Sequence, residues 1–192
     1  MNQELPEHEL VKRSRLGDER AFLELYVRHR DHVFGFAYRM LGERGAAEDT
    51  TQDCFLSLMR QLDRFDLSRA SLGTYLYAIA RNLCYRRFRD ANPEPIQGPI
   101  EEEPKDERSP LNELLDAELS TQVAQAVAGL PEFQREAIIL FEFEGRTLAE
   151  IAIIAETDIG TVKSRLFRAR QRLRNELAPY LKNDSIRVAK EE

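Results

Sequence analysis

Between Asn92 and Pro110 the chain reads NPEPIQGPIEEEPKDERSP, with Pro93, Pro95, Pro99, Pro104 and Pro110 set among acids. Each proline fixes φ and removes an amide donor, and the acids cannot be buried unpaired, so this stretch neither continues a helix nor joins a core. Its charge repulsion and proline content keep it extended, and its negative field resembles that of nucleic acid. Such a segment divides the chain. The expected architecture is all-α: two small helical domains, 1–91 and 111–182, joined by an acidic Pro-rich linker, 92–110, with a frayed tail over 183–192.

Charge is distributed by segment. The 192 residues carry a net −6, which would disfavour nucleic acid if spread evenly. From Asp90 to Glu118, however, ten acids oppose only Lys105 and Arg108, net −8, and the rest of the chain is net +2. From Asp158 to Lys182, Lys163, Arg165, Arg168, Arg170, Arg172, Arg174 and Lys182 face only Asp158 and Glu176, net +5. No apolar run has the length of a membrane span, and MNQELPEHEL lacks a signal-peptide core, so a soluble, cytoplasmic protein without membrane insertion is expected. Cys54 and Cys84 have no C-x-x-C spacing and read as small buried apolar residues in a reducing compartment. His8, His29 and His32 lack acidic or cysteine companions, so no metal and no cofactor are predicted.

The basic segment belongs to a helix-turn-helix pattern. Thr147 and Glu150 have capping-box spacing, and Leu148, Ile151, Ala152 and Ala155 give the first helix an apolar face. Thr157-Asp158 supplies a turn and a fresh N-cap. Val162, Leu166, Ala169 and Leu173 then form a seam; Thr161, Ser164, Arg168, Gln171 and Asn175 lie opposite, flanked by Lys163, Arg165 and Arg172. A helix that lies in the major groove needs this arrangement: one buried side, hydrogen-bonding side chains outward, and cations for both phosphate walls. The bland alternative is an amphipathic helix with a solvated basic side. Helices around Val123, Ala126 and Val127 and from Leu130 to Gly145 brace the pair.

In the first half, helices are predicted over Glu7 to Leu16, from Asp18 toward Gly42, over Glu48 to Leu62 and over Thr74 to Arg89, with Asp63 to Ser71 a loop. Asp49 and Asp53 share a charged face with Arg60. That pair reads as a solvated face, as a docking face for a basic partner, or as an acid pair of a metal-dependent enzyme, for which nothing else in the chain supplies ligands or a nucleophile. The last helix presents Ala78, Arg81, Asn82, Tyr85, Phe88 and Arg89 away from a Leu76, Ile79, Ala80, Leu83 seam. Aromatics interleaved with arginines suit unpaired DNA, the rings stacking on bases and the guanidiniums holding the backbone; edge packing is the plainer reading.

Taken together, AEDTTQDCFLSLMRQLDRFD, TYLYAIARNLCYRRFRD, LPEFQREAIILFEFEG and TLAEIAIIAETDIGTVKSRLFRARQRLR resemble the two-domain extracytoplasmic-function sigma factors of bacteria over about residues 10 to 180. The resemblance implies a promoter-recognition subunit of RNA polymerase, with no catalytic residues and no small-molecule substrate. It implies that Asp49, Gln52, Asp53 and Phe55 dock on the basic coiled coil of the polymerase clamp. Phe65, Ser68, Arg69, Ser71, Asn82, Tyr85 and Arg89 would capture the unpaired minus-ten strand, and Thr161, Lys163, Ser164, Arg165, Phe167, Arg168 and Arg172 would read the minus-35 duplex. The linker would run through the polymerase channels, and an anti-sigma factor is an expected partner. Three positions depart from the family pattern: Glu156 stands where members carry a turn glycine, Tyr75 replaces a tryptophan and Asp53 a glutamate. The rival reading is a conventional dimeric helix-turn-helix regulator, which would need a symmetric site and a dimer surface.

Overall fold

The structure, a computed structural model, describes the backbone of residues 5–90 and 121–188, with side chains as far as Tyr180. The described residues form helices and turns only. The predicted linker 92–110 and the positions Leu115 and Leu119 lie outside them.

Four helices build the first half: α1 (Glu7–Arg15), α2 (Glu19–Leu41), α3 (Arg44–Gln61) and α4 (Leu72–Asp90). Asp18 caps α2 by accepting the amides of Arg20 and Ala21, and Gly42 ends it at φ 73°, a conformation that costs glycine little. The third helix begins earlier than periodicity suggests, because the Glu43 carboxylate accepts the amides of Gly45 and Ala46 and starts it before the apolar stripe. Gly45 therefore lies within the helix. A short 3-10 turn, Leu62–Arg64, leads into the loop before α4. Phe36, Leu25, Met40, Leu58, Leu72 and Leu76 are fully buried between these helices. Each such side chain stabilises the fold by about 1.5–3 kcal/mol relative to exposure.

The second half contains α5 (121–128), α6 (Glu132–Ile138), α7 (Leu148–Ile154) and α8 (Ile159–Val188). After α6 the chain widens into a π-helical turn, Ile139–Phe143, whose following amide, of Glu144, reaches back to the Ile139 carbonyl at 3.0 Å. The capping box at Thr147 is present in full. Helix α8 runs through Pro179 and beyond Lys182, so helical backbone extends into the segment expected as a tail.

The two halves are packed on one another. Helix α4 lies against α7, and α2 against α6 and the π turn, so one apolar cluster is continuous across both. Arg135 of α6 donates to the Met40 carbonyl at 2.7 Å and, at its other end, to Leu130 and Ala128. It thereby places a cation at the negative end of α2.

Candidate nucleic-acid interface

The second helix of the helix-turn-helix has the sidedness its sequence predicts. Val162, Leu166 and Ala169 are buried and Leu173 is partly so, while Lys163, Ser164, Arg168, Gln171 and Arg172 are exposed. Phe167 is 65% exposed, a large apolar ring left in solvent on the outward face. Asp158 caps the helix, accepting the Thr161 amide at 2.9 Å and its hydroxyl at 2.6 Å; these bonds hold the carboxyl below its ordinary value and tie Thr161 to the cap. Among the described residues, two cations of the segment are engaged elsewhere. Arg170 donates twice to Glu142, at 2.7 and 3.1 Å, and Arg165 lies over the Phe133 ring at 4.8 Å.

The turn between α7 and α8 explains the unusual Glu156. That residue adopts φ 50°, the left-handed region, with its amide bonded to the Ile153 carbonyl and the Thr157 amide to the Ala152 carbonyl. These two bonds are the Schellman pattern, normally built on glycine.

On the other candidate surface, Ser71 caps α4 by accepting the Thr74 amide at 3.2 Å. The carboxylate of Asp66 accepts from the Ser68 amide and hydroxyl, which fixes the loop tip, and Arg69 is highly exposed beside it. Asn82 and Arg89 are exposed. Phe65 is not: it is 5% exposed, stacked on Tyr75 at 4.8 Å, with its carbonyl held by Arg15. It forms the floor of the loop. Tyr85 is half-buried, its hydroxyl donating to Glu136 at 2.6 Å and its ring 5.5 Å from Phe133. Along the α4 seam Leu76 and Ala80 are buried as expected, but Tyr77 and Cys84 are buried with them, and Ile79 and Leu83 only partly so.

A third feature is a groove of about 780 Å³ between α2 and α3, walled by Phe22, Tyr26, Phe34, Leu56 and Met59 with Gln52 at its edge. Phe55 is 5% exposed and meets Tyr26 edge-on, so it shapes the groove from below. Asp49 and Asp53 stand at the surface beside Arg87 and Arg86, at 3.5 and 3.7 Å. Among the described residues no group of three or more His, Cys, Asp or Glu side chains is arranged to hold a metal ion, and no helix is long and apolar enough to cross a membrane.

Sequence reasoning missed one cluster. Glu136 and Glu144 are buried, at 0% and 7% exposure, and face Tyr77, Arg81 and Tyr85 of α4. Arg81 donates to Glu136 at 2.9 Å, and Tyr77 to Glu144 at 2.6 Å. His32 and Arg39 of α2 lie 3.4 and 3.6 Å from Glu144. Gly35 leaves room there, since a Cβ on it would come within 2.7 Å of the Arg39 guanidinium. The available signal was Glu136 at helical spacing from Phe133 and Leu140, immediately before the apolar run Ala137 to Phe141.

An all-helical chain with a capped helix-turn-helix and a second, arginine- and aromatic-bearing helix defines a two-part nucleic-acid-binding class. The family description Sigma-70 region 2 matches residues 25–94, and Sigma-70, region 4 matches residues 120–173. The chain is 33% identical to the ECF RNA polymerase sigma-E factor of Escherichia coli over 95% of its length and 100% of the relative's. It is 32% identical to the ECF RNA polymerase sigma factor SigW of Bacillus subtilis, over 87% and 94%. It is 31% identical to the RNA polymerase sigma-H factor of Pseudomonas aeruginosa, over 92% and 96%. The chain belongs to the extracytoplasmic-function sigma factors of RNA polymerase. Among solved structures it is similar to the sigma factor RpoE of Bartonella quintana in complex with the anti-sigma factor NepR, with TM-score 0.66, 27% identity and coverage of 82% of this chain and 96% of that one. The fold is also that of CnrH in complex with the cytosolic domain of CnrY, with TM-score 0.68, 24% identity and coverage of 90% and 97%.

Proposed function

We propose that this chain directs core RNA polymerase to promoters, reading the duplex minus-35 element with α8 and capturing the unpaired minus-ten strand with α4 and the loop before it. The observation that carries the reading is the sidedness of α8: an apolar seam inward, and Lys163, Ser164, Phe167, Arg168 and Arg172 outward at the end of a capped helix-turn-helix. On α4 and its loop the strand-facing groups are Ser68, Arg69, Ser71, Asn82, Tyr85 and Arg89, with Phe65 as their support. Melting becomes favourable because bases that leave the stack gain stacking partners and hydrogen bonds.

The work is divided between residues 1–91, which hold polymerase and the opened strand, and residues 111–182, which hold duplex; the linker 92–110 sets their span. Polymerase docks through its basic clamp coiled coil on α3, with Gln52 at the α2–α3 groove, Phe55 beneath it, and Asp49 and Asp53 on the α4 side of the same helix. An anti-sigma factor is the inhibitory partner, in keeping with the similar RpoE–NepR complex. The factor acts in the cytoplasm, needs no cofactor and performs no covalent chemistry. Neither half binds promoter DNA strongly by itself; polymerase fixes the span over which two weak contacts combine.

Co-elution with core polymerase tests the docking face. Asp49→Arg and Asp53→Arg are expected to abolish co-elution, with the helical circular dichroism unchanged and no dependence on metal. Wild-type association in both variants would overturn the assignment.

A further inference from the structure

Helix α1 carries none of the groups assigned to DNA or polymerase, yet both of its ends reach the loop before α4. At its C-terminal end Arg15 donates from Nε to the Leu62 carbonyl at 3.0 Å and from Nη2 to the Phe65 carbonyl. These carbonyls belong to the 3-10 turn after α3, where helical partners run out. One planar guanidinium satisfies both, because its donors form a rigid fork; a lysine offers a point charge instead. At the other end of α1, Glu7 meets the His29 ring nitrogen at 2.8 Å; that bond first, and the Leu72 amide in addition, hold its carboxyl below the ordinary value. Leu72 is the first residue of α4. The loop is thus gripped where it leaves α3 and where it enters α4, by residues about 12 Å apart along one helix. Inside those grips, Phe65 stacks on Tyr75, whose hydroxyl donates to the Gln61 side chain at 3.1 Å, and Asp66 accepts from Ser68. Those contacts lie close in sequence; the two Arg15 bonds span 47 and 50 positions.

We propose that α1 is a brace for the base-capturing loop, and that Arg15 is a positioning residue that keeps Ser68, Arg69 and Ser71 in their capturing arrangement before DNA arrives. The inference rests on the reading that this loop takes a base from the opened strand. A base that leaves the stack gains most from a site already formed: a loop in the capturing shape only one-tenth of the time binds about tenfold more weakly. Arg15 is itself exposed, so direct contact with a phosphate is the competing role. The two roles differ in chemistry. A phosphate contact needs a positive charge, whereas holding two carbonyls of one turn needs the fork.

The test uses the full chain with core polymerase and a fluorescent single strand carrying a minus-ten element, intact or abasic at each position in turn. Wild type should lose about tenfold or more when the captured base is missing, and little elsewhere. Arg15→Lys keeps the charge and loses the fork. It should bind the intact strand about tenfold more weakly and the strand lacking the captured base as wild type does, so that the penalty disappears. Arg15→Met should behave alike, with helical circular dichroism and co-elution with core polymerase unchanged in both. A nitroxide at Arg64→Cys, an exposed position on the clamped turn, should report a rigid loop in the otherwise wild-type chain without DNA and a mobile one in both variants; Cys54 and Cys84 are buried and stay unlabelled. Equal weakening of intact and abasic strands by folded variants, or impairment of Arg15→Met alone, would assign Arg15 to phosphate and overturn the brace. So would a nitroxide that neither substitution mobilises. A wild-type penalty that survives in Arg15→Lys removes the brace and leaves the strand reading standing, whereas a wild type without any position-dependent penalty removes that reading and the brace with it.

Discussion

The Tyr77 hydroxyl donates to the Glu144 carboxylate at 2.6 Å across 67 positions of sequence, in a site where Glu144 is almost wholly buried. Burial first, and then the bond to Glu144, raises the Tyr77 phenol above its ordinary value; burial and Glu136 do the same for Tyr85. Both phenols therefore remain protonated donors throughout the physiological range. The two halves of this sigma factor are joined by directional polar contacts as well as by apolar packing.

Directional contacts make the seam sensitive to truncation. Glu136→Ala leaves the Arg81 guanidinium, with 13% side-chain exposure, without its carboxylate, and is expected to cost about 3–5 kcal/mol. Glu136→Gln, which keeps an acceptor for both donors, should cost clearly less. Urea unfolding of the two variants beside wild type measures the difference. Equal losses would show that a neutral acceptor supplies nothing there and that the charge of Glu136 carries the contact.

Glu156 holds a left-handed conformation without the freedom of glycine. Glu156→Gly should raise stability by about 1 kcal/mol, whereas Glu156→Val, β-branched at positive φ, should lower it. Thermal unfolding of the three chains reads the order directly. A destabilised glycine variant would mean that the glutamate side chain contributes more than the backbone strain costs.

Acid should loosen the fold through two carboxylates. A hydrogen bond from His29 holds Glu7 below the usual value of 4.5, and the Thr147 amide does the same for Glu150 in the capping box. A carboxyl depressed in the folded state supplies stability that is fully present above its unfolded value and is lost as pH falls through its folded one. Unfolding free energy is therefore predicted to fall as pH drops from about 4.5, with a shallower slope in Glu150→Gln. A slope unchanged by that substitution would remove Glu150 from the account.

Cys54 and Cys84 are buried, and burial pushes both thiols up to about 12. The thiolate is the reactive form, so neither should react with iodoacetamide at neutral pH in the folded chain, and both should react in urea. Mass spectrometry of alkylated protein checks this. Rapid labelling of the native chain would show that the α3–α4 core opens readily.

Much of this was legible in the sequence, and the rest was hidden for physical reasons. The Thr147 box, the Asp158 cap and the Val162-to-Ala169 seam are local: propensity, capping and periodicity agree there, so the α8 face could be read directly. The family resemblance implies Phe65 at the strand surface, and a loop residue has no periodicity to betray its burial against Tyr75. The start of α3 was set by the carboxylate of Glu43, ahead of the apolar stripe that periodicity detects. Glu136 and Glu144 escaped because their common face depends on a π turn, which no hydrophobic pattern announces, and because their partners lie on the far side of the linker.

If Arg168 contacts a guanine edge with both of its terminal nitrogens, Arg168→Ala should cost about 1–3 kcal/mol in promoter binding by the polymerase complex and relax preference at one base pair. Titration against a panel of single-base promoter variants distinguishes the roles. Equal loss on every sequence, with a flatter salt dependence, would assign the residue to phosphate.

The most direct measurement is run-off transcription from a genomic promoter library with purified chain and purified core polymerase, together and apart. Defined start sites sharing a common pair of upstream elements are expected only when both are present, with the chain alone binding the same DNA weakly and as a monomer. Tight, dimeric binding of one promoter by the chain alone, with polymerase start sites unchanged by its addition, would contradict the account.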